Sequence, residues 1–373
     1  MRSTIIDYFI SLVQIDSESK NEMEIALSLE ADLQDLGAVV HFDKANEKTE
    51  GNVGNLYAYF PGKVEKEPIL FCAHLDTVVP GNGVKPKIRE DRIISDGTTV
   101  LGSDDKSGIA EIVWAIKELK ENNERLAPIE VLFTISEEIG LLGAKYLDYS
   151  MIKSKIGYAL DAHEIGEITI AAPSQNSMKY TVIGKEAHAG AEPEKGINAI
   201  KIAAEAISKM PMGRIDDETT CNVGVIKGGR ATNIVPNKVK IKAEARSHNN
   251  EKLRILTKQM SETIKQTAEK YKLDDFQADV KIKVVEEYQA FKLDEEDHIV
   301  ELVKKASENC GLNFKTSISG GGSDVNIFNR NGLKMGVLGT GMNKVHTVDE
   351  FILIKDLEDG ARWIKEIIRE YSK

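Results

Sequence analysis

Five short groups of acidic residues and histidines occur in order along the 373-residue chain. They are His74-Leu75-Asp76-Thr77, Gly102-Ser103-Asp104-Asp105-Lys106, Glu137-Glu138-Ile139-Gly140, Leu160-Asp161-Ala162 and His346-Thr347-Val348-Asp349. Four of the five adjoin an apolar stretch that is typical of a buried strand, or open a turn beside one. An ionised carboxylate at the edge of a core is costly unless it is paired, hydrogen-bonded or bound to a metal. The fold must therefore bring these groups to partners, and a metal centre would account for all of them together.

The first part of the chain alternates between strand and helix periodicity. The predicted strands are residues 55–60, 69–73, 129–135 and 156–160, and the predicted helices are residues 5–13, 23–36 and 106–119. Strands that alternate with helices indicate a mixed or mostly parallel sheet that is covered on both faces.

The middle of the chain follows a different pattern. The predicted order is strand 178–184, helix 198–210, strand 219–226, strand 239–245, helix 251–271 and strand 280–285. This βαββαβ order is typical of the ferredoxin-like arrangement. Because the first pattern then resumes, we predict an α/β fold with a discontinuous domain of residues 1–176 and 287–373, and an inserted ferredoxin-like domain of residues 177–286.

Charge and composition exclude several classes of partner. The net charge of −11 argues against nucleic acid and against an anionic membrane, since both attract basic surfaces. No apolar stretch is long enough to span a bilayer or to serve as a signal-peptide core, so we expect a cytoplasmic protein without a membrane partner. Cys72, Cys221 and Cys310 are odd in number and far apart, which indicates neither a disulfide framework nor a cysteine zinc site.

A pair of divalent ions needs oxygen and nitrogen ligands and at least one carboxylate that bridges both ions. Such a set is supplied by His74, Asp104, Glu138, Asp161 and His346. Each lies in a loop or at the end of a predicted strand, where open α/β sheets place ligand sites. Taken singly, each has a plain alternative: a hydrogen-bonded histidine, acids at a helix N-terminus, or a solvated turn. The occurrence of all five in order favours the metal site.

The five groups and the inserted ferredoxin-like segment together closely resemble the co-catalytic zinc exopeptidases. That family includes peptidase T, carboxypeptidase G, acetylornithine deacetylase and succinyl-diaminopimelate desuccinylase, and the resemblance to peptidase T covers essentially the whole chain. It implies a zinc-binding catalytic domain, an inserted lid and dimerisation domain, and a homodimer. It also implies two divalent metal ions, with Zn²⁺ first and Co²⁺ or Mn²⁺ as alternatives that the ligand types permit.

The resemblance assigns roles residue by residue. The implied ligands are Asp104 as the bridge, His74 and Asp161 on one metal, and Glu138 and His346 on the other. Asp76 is implied to orient the imidazole of His74. Glu137 is implied to be the general base that takes a proton from water and returns it to the leaving amine.

Four further residues match positions that contact substrate in the family: His188, Asn233, Arg246 and Gly321. The resemblance implies that His188 reaches the active site of a partner subunit, whereas the plain alternative is a surface-loop histidine. Arg246 suits a substrate carboxylate, although it shares a strand face with other charged residues. Gly321 lies in a glycine-rich turn that lines the substrate cleft in the family, and no Gly-Lys-Ser/Thr follows it to indicate a nucleotide site.

The implied activity is hydrolysis of the N-terminal peptide bond of short peptides, as in a tripeptide aminopeptidase. Family members with Asp at the place of Asp161 tend to be aminopeptidases or dipeptidases, whereas carboxypeptidases and several deacylases carry Glu. The segment between Asp76 and Asp104 is shorter than in peptidase T, which leaves tripeptide specificity open. Two alternatives stay open as well: an N-acyl amino acid deacylase or carboxypeptidase of the same family, and a metal-binding relative without catalysis.

Overall fold

The computed structural model describes residues 3–373. Its helices are α1 (Ile5–Val13), α2 (Met23–Asp35), α3 (Asn46–Thr49), α4 (Ser103–Glu121), α5 (Leu142–Tyr146), α6 (Ala199–Ile207), α7 (Asn250–Ala268), α8 (His298–Cys310), α9 (Asp324–Arg330) and α10 (Ile354–Ser372). Its strands are β1 (Val39–Phe42), β2 (Leu56–Phe60), β3 (Ile69–His74), β4 (Lys87–Arg89), β5 (Arg92–Ile94), β6 (Ile129–Thr134), β7 (Ile156–Ala162), β8 (Glu167–Ala172), β9 (Ser174–Ile183), β10 (Ala187–His188), β11 (Gly213–Asp216), β12 (Thr219–Gly228), β13 (Ile234–Val235), β14 (Lys238–Ser247), β15 (Lys272–Leu273), β16 (Phe276–Gln277), β17 (Asp279–Tyr288), β18 (Phe291–Lys292), β19 (Lys315–Ile318), β20 (Lys334–Gly339), β21 (Met342–Asn343) and β22 (Phe351–Leu353).

The chain divides into two compact units. The first contains the residues up to Ala171, Lys292–Ser319 and Ser323–Lys373, and the second contains Ala172–Phe291 and Gly320–Gly322. The second unit extends beyond the predicted insert at both ends, because its strands β9 and β17 are longer than their apolar alternation indicates.

The first unit is built around a nine-stranded sheet. The strand order is β1-β2-β6-β3-β7-β20-β8-β18, and β19 also pairs with β8. Strand β3 runs parallel to β6 and β7, and β7 runs parallel to β20, whereas β1, β2 and β6 pair antiparallel. Every residue of β3 and β6 is buried, as expected for strands covered on both faces. The predicted α/β class with a mixed sheet is confirmed.

Helix α4 packs on this core and carries Asp104 and Asp105 in its first turn. The apolar side chains Ile109, Ile112, Val113 and Ile116 recur at helical spacing and are all fully buried. The helix packs on β3, β7, α1 and α10. Burying an isoleucine or valine side chain contributes roughly 1.5–3 kcal/mol, so these four positions hold the start of α4 firmly in place.

The second unit is a separate layered structure. Its main sheet has the order β11-β12-β14-β9-β17, and all its pairs are antiparallel. Burial alternates along β14, whose apolar residues join α6 and α7 in one hydrophobic cluster. The elements β9-α6-β12-β14-α7-β17 therefore reproduce the predicted ferredoxin-like order.

Two other expectations can be compared with the structure. None of the helices within residues 3–373 has the length and apolar character needed to cross a bilayer. All three cysteines are free thiols; Cys72 and Cys221 are buried and Cys310 is half-buried.

Candidate metal centre

Three neighbouring parallel strands end at the candidate site. His74 is the last residue of β3, Glu137 and Glu138 follow β6, and Asp161 lies near the end of β7. Since β6, β3 and β7 are adjacent and point the same way, their carboxyl ends share one edge of the sheet. Long apolar strands followed at once by polar residues thus produce a polar cluster at one end of the core.

The carboxylate of Asp104 lies between two imidazoles. Its Oδ1 is 3.0 Å from Nε2 of His74, and its Oδ2 is 3.1 Å from Nε2 of His346. The same Nε2 of His346 is 3.0 Å from Oε1 of Glu138. Ligand atoms of His74, Asp104 and Glu138 all lie within 4.8 Å of one another, as a shared metal ion requires. A carboxylate that offers one oxygen to each side has the geometry of a bridging ligand.

The pKa values of the imidazoles reflect this crowding of acids. Hydrogen bonds to Asp104 and Glu138 raise the pKa of His346 to about 10, against a smaller opposing effect of burial. Burial alone would lower the pKa of His74, but the hydrogen bonds to Asp104 and Asp76 outweigh it and raise the pKa well above its usual range. Without a metal, these shifts favour the cationic form of both imidazoles.

The pKa values of the neighbouring carboxyls are also raised, which disfavours their charged form. Burial raises the pKa of Glu137 well above the usual range, and nearby acidic groups add to the effect. Burial and the charge of Asp104 likewise raise the pKa of Asp161 well above its usual range. One oxygen of the buried Asp105 also has no hydrogen-bond partner among residues 3–373. The acids outnumber the two imidazoles, so the donor set fits divalent cations.

Asp76 contacts both the imidazole of His74, at the end of β3, and the turn that follows β6. Nδ1 of His74 is 2.8 Å from the main-chain oxygen of Asp76 and 3.5 Å from its Oδ1, which leaves Nε2 directed at the cluster. The carboxylate of Asp76 accepts the N–H of Glu137 at 2.9 Å and that of Glu138 at 3.2 Å. It also accepts the hydroxyl of Ser19 at 2.6 Å.

Glu350 holds the turn that precedes Asp104, a role that the sequence patterns do not reveal. It is buried, and Oε2 accepts the N–H groups of Leu101 at 2.7 Å and Gly102 at 2.9 Å. Oε1 accepts the hydroxyl of Ser103 at 2.5 Å and the N–H of Asp104 at 3.1 Å. The only sequence signal is that Glu350 directly follows the group that contains His346.

Asp324 is a second acid near the site to which the sequence patterns assign no role. It begins α9 after the glycine-rich turn, and its Oδ2 accepts the hydroxyl of Thr134, at the end of β6, at 2.6 Å. Its Oδ1 has no hydrogen-bond partner within residues 3–373. Burial raises its pKa to about 6.

The four predicted substrate-binding residues belong to the second unit. Nδ1 of the exposed His188 accepts the N–H groups of Gly190 and Ala191, at 3.2 and 2.9 Å, so the neutral ring carries its proton on Nε2 and presents a donor to solvent. The main-chain oxygen of the exposed Asn233 accepts the N–H of Ala189 at 2.9 Å. Arg246 pairs with Glu244 at 3.2 Å on the polar face of β14, and Gly321 lies in the glycine-rich turn. Their contact with substrate stays a prediction.

Comparison with known proteins gives relatives over nearly the whole chain. The Bacillus subtilis protein YqjE, described as uncharacterized, is 44% identical over 370 residues, which cover 99% of this chain and 98% of that protein. The crystal structure of the aminopeptidase PepT from Bacillus cereus is 44% identical with a TM-score of 0.89, and that of a tripeptidase from Staphylococcus aureus is 37% identical with a TM-score of 0.93. Each of these two matches covers 99% of this chain and 98% of the chain in the crystal structure. The model of the family described as Peptidase family M20/M25/M40 matches residues 70–370, and the chain belongs to this family.

Proposed function

We propose that this protein is a metallo-aminopeptidase that hydrolyses the N-terminal peptide bond of short peptides. The observation that carries the proposal is the carboxylate of Asp104 between the imidazoles of His74 and His346, with Glu138 beside His346 and Glu137 in the turn that Asp76 holds. Family membership supports a peptidase, and the names of two relatives, an aminopeptidase and a tripeptidase, support short peptides with a free amine.

Two divalent ions fit the donor set, with Zn²⁺ as our assignment and Co²⁺ or Mn²⁺ as alternatives. The residues that would hold them are Asp104 in both sites, His74 and Asp161 in one, and Glu138 and His346 in the other. The crowding of buried carboxylates around the two imidazoles supports this assignment, because divalent cations would neutralise those carboxylates. When bound, the ions would polarise the scissile carbonyl and lower the pKa of a water molecule.

Glu137 is the general base in this proposal. Its carboxylate takes a proton from the attacking water and returns it to the nitrogen of the leaving group. Asp76 serves this step indirectly, because it fixes the N–H groups of Glu137 and Glu138 and the tautomer of His74.

We also propose that His188, Asn233, Arg246 and Gly321 bind substrate, that the chain works as a homodimer, and that it is cytoplasmic.

The base is tested with Glu137→Ala in metal-loaded protein. We expect a loss of activity of about 10²–10⁴-fold on a free-amine tripeptide, with both ions retained. The matched control is Glu121→Ala, which removes an exposed acid from α4. Unchanged activity of the Glu137 variant would refute the role of the base.

The reaction class is tested with a substrate panel. We expect release of the N-terminal residue from free-amine tripeptides and little turnover of N-acetylated amino acids. Turnover of the blocked compounds alone would assign a deacylase, release from the carboxyl end would assign a carboxypeptidase, and no turnover with both ions bound would assign a non-catalytic relative. Elemental analysis of the purified protein identifies the metal.

A further inference from the structure

The turn that carries Glu137 is held by carboxylates from two sides. Ser136, which precedes it, is fully buried and has a φ of 53°, in the left-handed region that residues with side chains rarely adopt. The next two N–H groups, of Glu137 and Glu138, are bound by Asp76. The N–H of Ser136 is bound by Glu22, at 2.9 Å. Three successive N–H groups therefore face two buried acids that come from distant parts of the chain.

Two of the three hydrogen bonds that Glu22 accepts come from Ser136. Glu22 is fully buried, and its Oε1 accepts the N–H of Ser136 at 2.9 Å, the hydroxyl of Ser136 at 3.1 Å and the N–H of Lys20 at 2.9 Å. It occupies the N-cap position of α2, yet its side chain does not cap the helix. The N–H of Met23 is bound instead by Asn52, at 3.1 Å. A buried acid at a cap position that does not cap indicates a role elsewhere.

The residues just before Glu22 bind the neighbouring strand end. The hydroxyl of Ser19 donates to Asp76 at 2.6 Å, and the N–H of Thr77 donates to the main-chain oxygen of Ser17 at 3.0 Å. The segment from Ser17 to Glu22 thus contacts both the loop after β3 and the turn after β6. It fixes the spacing between the loop that carries Asp76 and the turn that carries the base.

We propose that Glu22 is a positioning residue for Glu137. Glu22 holds Ser136 in its left-handed conformation so that the Glu137 carboxylate faces the metal centre. This inference rests on the proposed role of Glu137 as base. The hydrogen bonds that Glu22 accepts come from Ser136 and Lys20 and not from a proposed metal ligand, so its loss should slow the chemical step and leave substrate binding and metal content largely unchanged. A displacement of a catalytic group by about 1 Å can cost on the order of 100-fold in rate.

The test compares Glu22→Gln and Glu22→Ala with the wild type, all in metal-loaded full-length protein on a free-amine tripeptide. We expect kcat to fall about tenfold in the Gln variant, which keeps one acceptor oxygen, and about 100-fold in the Ala variant. KM should change less than about threefold, and elemental analysis should give two ions per chain in each variant. Glu24→Gln is the matched control, because Glu24 is an exposed acid in the first turn of the same helix.

A double-mutant cycle separates positioning from general destabilisation. Ser136→Ala removes the hydroxyl contact, so its effect on kcat should be largely absent in the Glu22→Ala background if the two residues act together. Additive effects, a kcat within twofold of the wild type in both Glu22 variants, or a loss that excess zinc restores would each overturn the proposal. If Glu22→Ala does not fold, the Gln variant and its cycle with Ser136→Ala decide. The role of Glu137 as base is tested separately, because full activity of the Glu137→Ala variant would refute that role.

Discussion

Glu111 offers a sharp test of the energetics of the core. It lies on α4, is fully buried, and neither of its carboxylate oxygens has a hydrogen-bond partner among residues 3–373. Its carboxyl lies against Gly360 of α10, where an added Cβ would overlap it. Burial, followed by the charges of Asp105 and Asp356, raises its pKa well above the ordinary value of 4.5. The folded protein therefore keeps Glu111 protonated at pH values where the unfolded chain releases the proton.

The sign of the pH dependence follows from this difference. Below about pH 4.5 both states hold the proton and Glu111 has no effect on the pH dependence. Above that value the unfolded state is stabilised by ionisation, so the free energy of unfolding falls with rising pH until the folded group also ionises. Each pH unit costs about 1.4 kcal/mol, which gives a loss of about 3 kcal/mol at pH 7 if the folded group stays neutral.

We therefore predict that Glu111→Gln, which removes the ionisation and keeps the shape, stabilises the protein by up to about 3 kcal/mol at pH 7 and has little effect at pH 4.5. For a unit of this size, 3 kcal/mol corresponds to a rise in Tm of roughly 6–12 °C. The assay is thermal unfolding of chelator-treated protein from pH 4.5 to 8, with Glu121→Gln as the control from the exposed end of α4. Parallel curves of Tm against pH for Glu111→Gln and the wild type would refute the reasoning.

Two further predictions concern the metal centre. Glu350→Ala should weaken zinc binding about 10–100-fold, because four hydrogen-bond donors around Asp104 lose their acceptor. A chelator competition assay measures the zinc affinity, with Glu358→Ala as the exposed control. Equal affinities of the Glu350 variant and the wild type would contradict the prediction. Zinc loading at pH 7 should release protons, because the raised pKa values of His74, His346 and Asp161 favour their protonated forms without metal. Calorimetry in buffers of different ionisation enthalpy counts them, and release near zero would show that the imidazoles are neutral.

The sequence was sufficient for the elements that local pattern determines. Apolar runs at 69–73, 129–135 and 156–160 predicted β3, β6 and β7, since a fully buried strand must be apolar along its whole length. The residues that follow these runs then share one sheet edge because the strands are parallel. This is why His74 and Glu138 could be predicted as neighbours from the strand pattern, whereas Asp104 lies at the start of α4 and is not placed by this argument.

Residues that act through the main chain could not be predicted in this way. Glu22 binds an N–H group 114 positions away, and Glu350 binds one 246 positions away. Any residue type except proline supplies a main-chain N–H, so the partner leaves no mark in the sequence. The carboxylate itself looks like any other charged residue of a polar segment. Only the folded arrangement distinguishes these buried acids from the many exposed ones.

The acids that hold the loops also affect the charge of the centre. Glu22, Asp76 and Glu350 each compensate the cost of burial with main-chain N–H donors, which hold the turns rigidly. Burial raises the pKa of Glu22 and Glu350, and the hydrogen bonds that these two carboxyls accept oppose that effect. Cations bound at the centre would favour the ionised forms of these nearby acids. The acids that fix the geometry are therefore coupled to the metal, and binding of metal should stabilise the first unit as well as activate it.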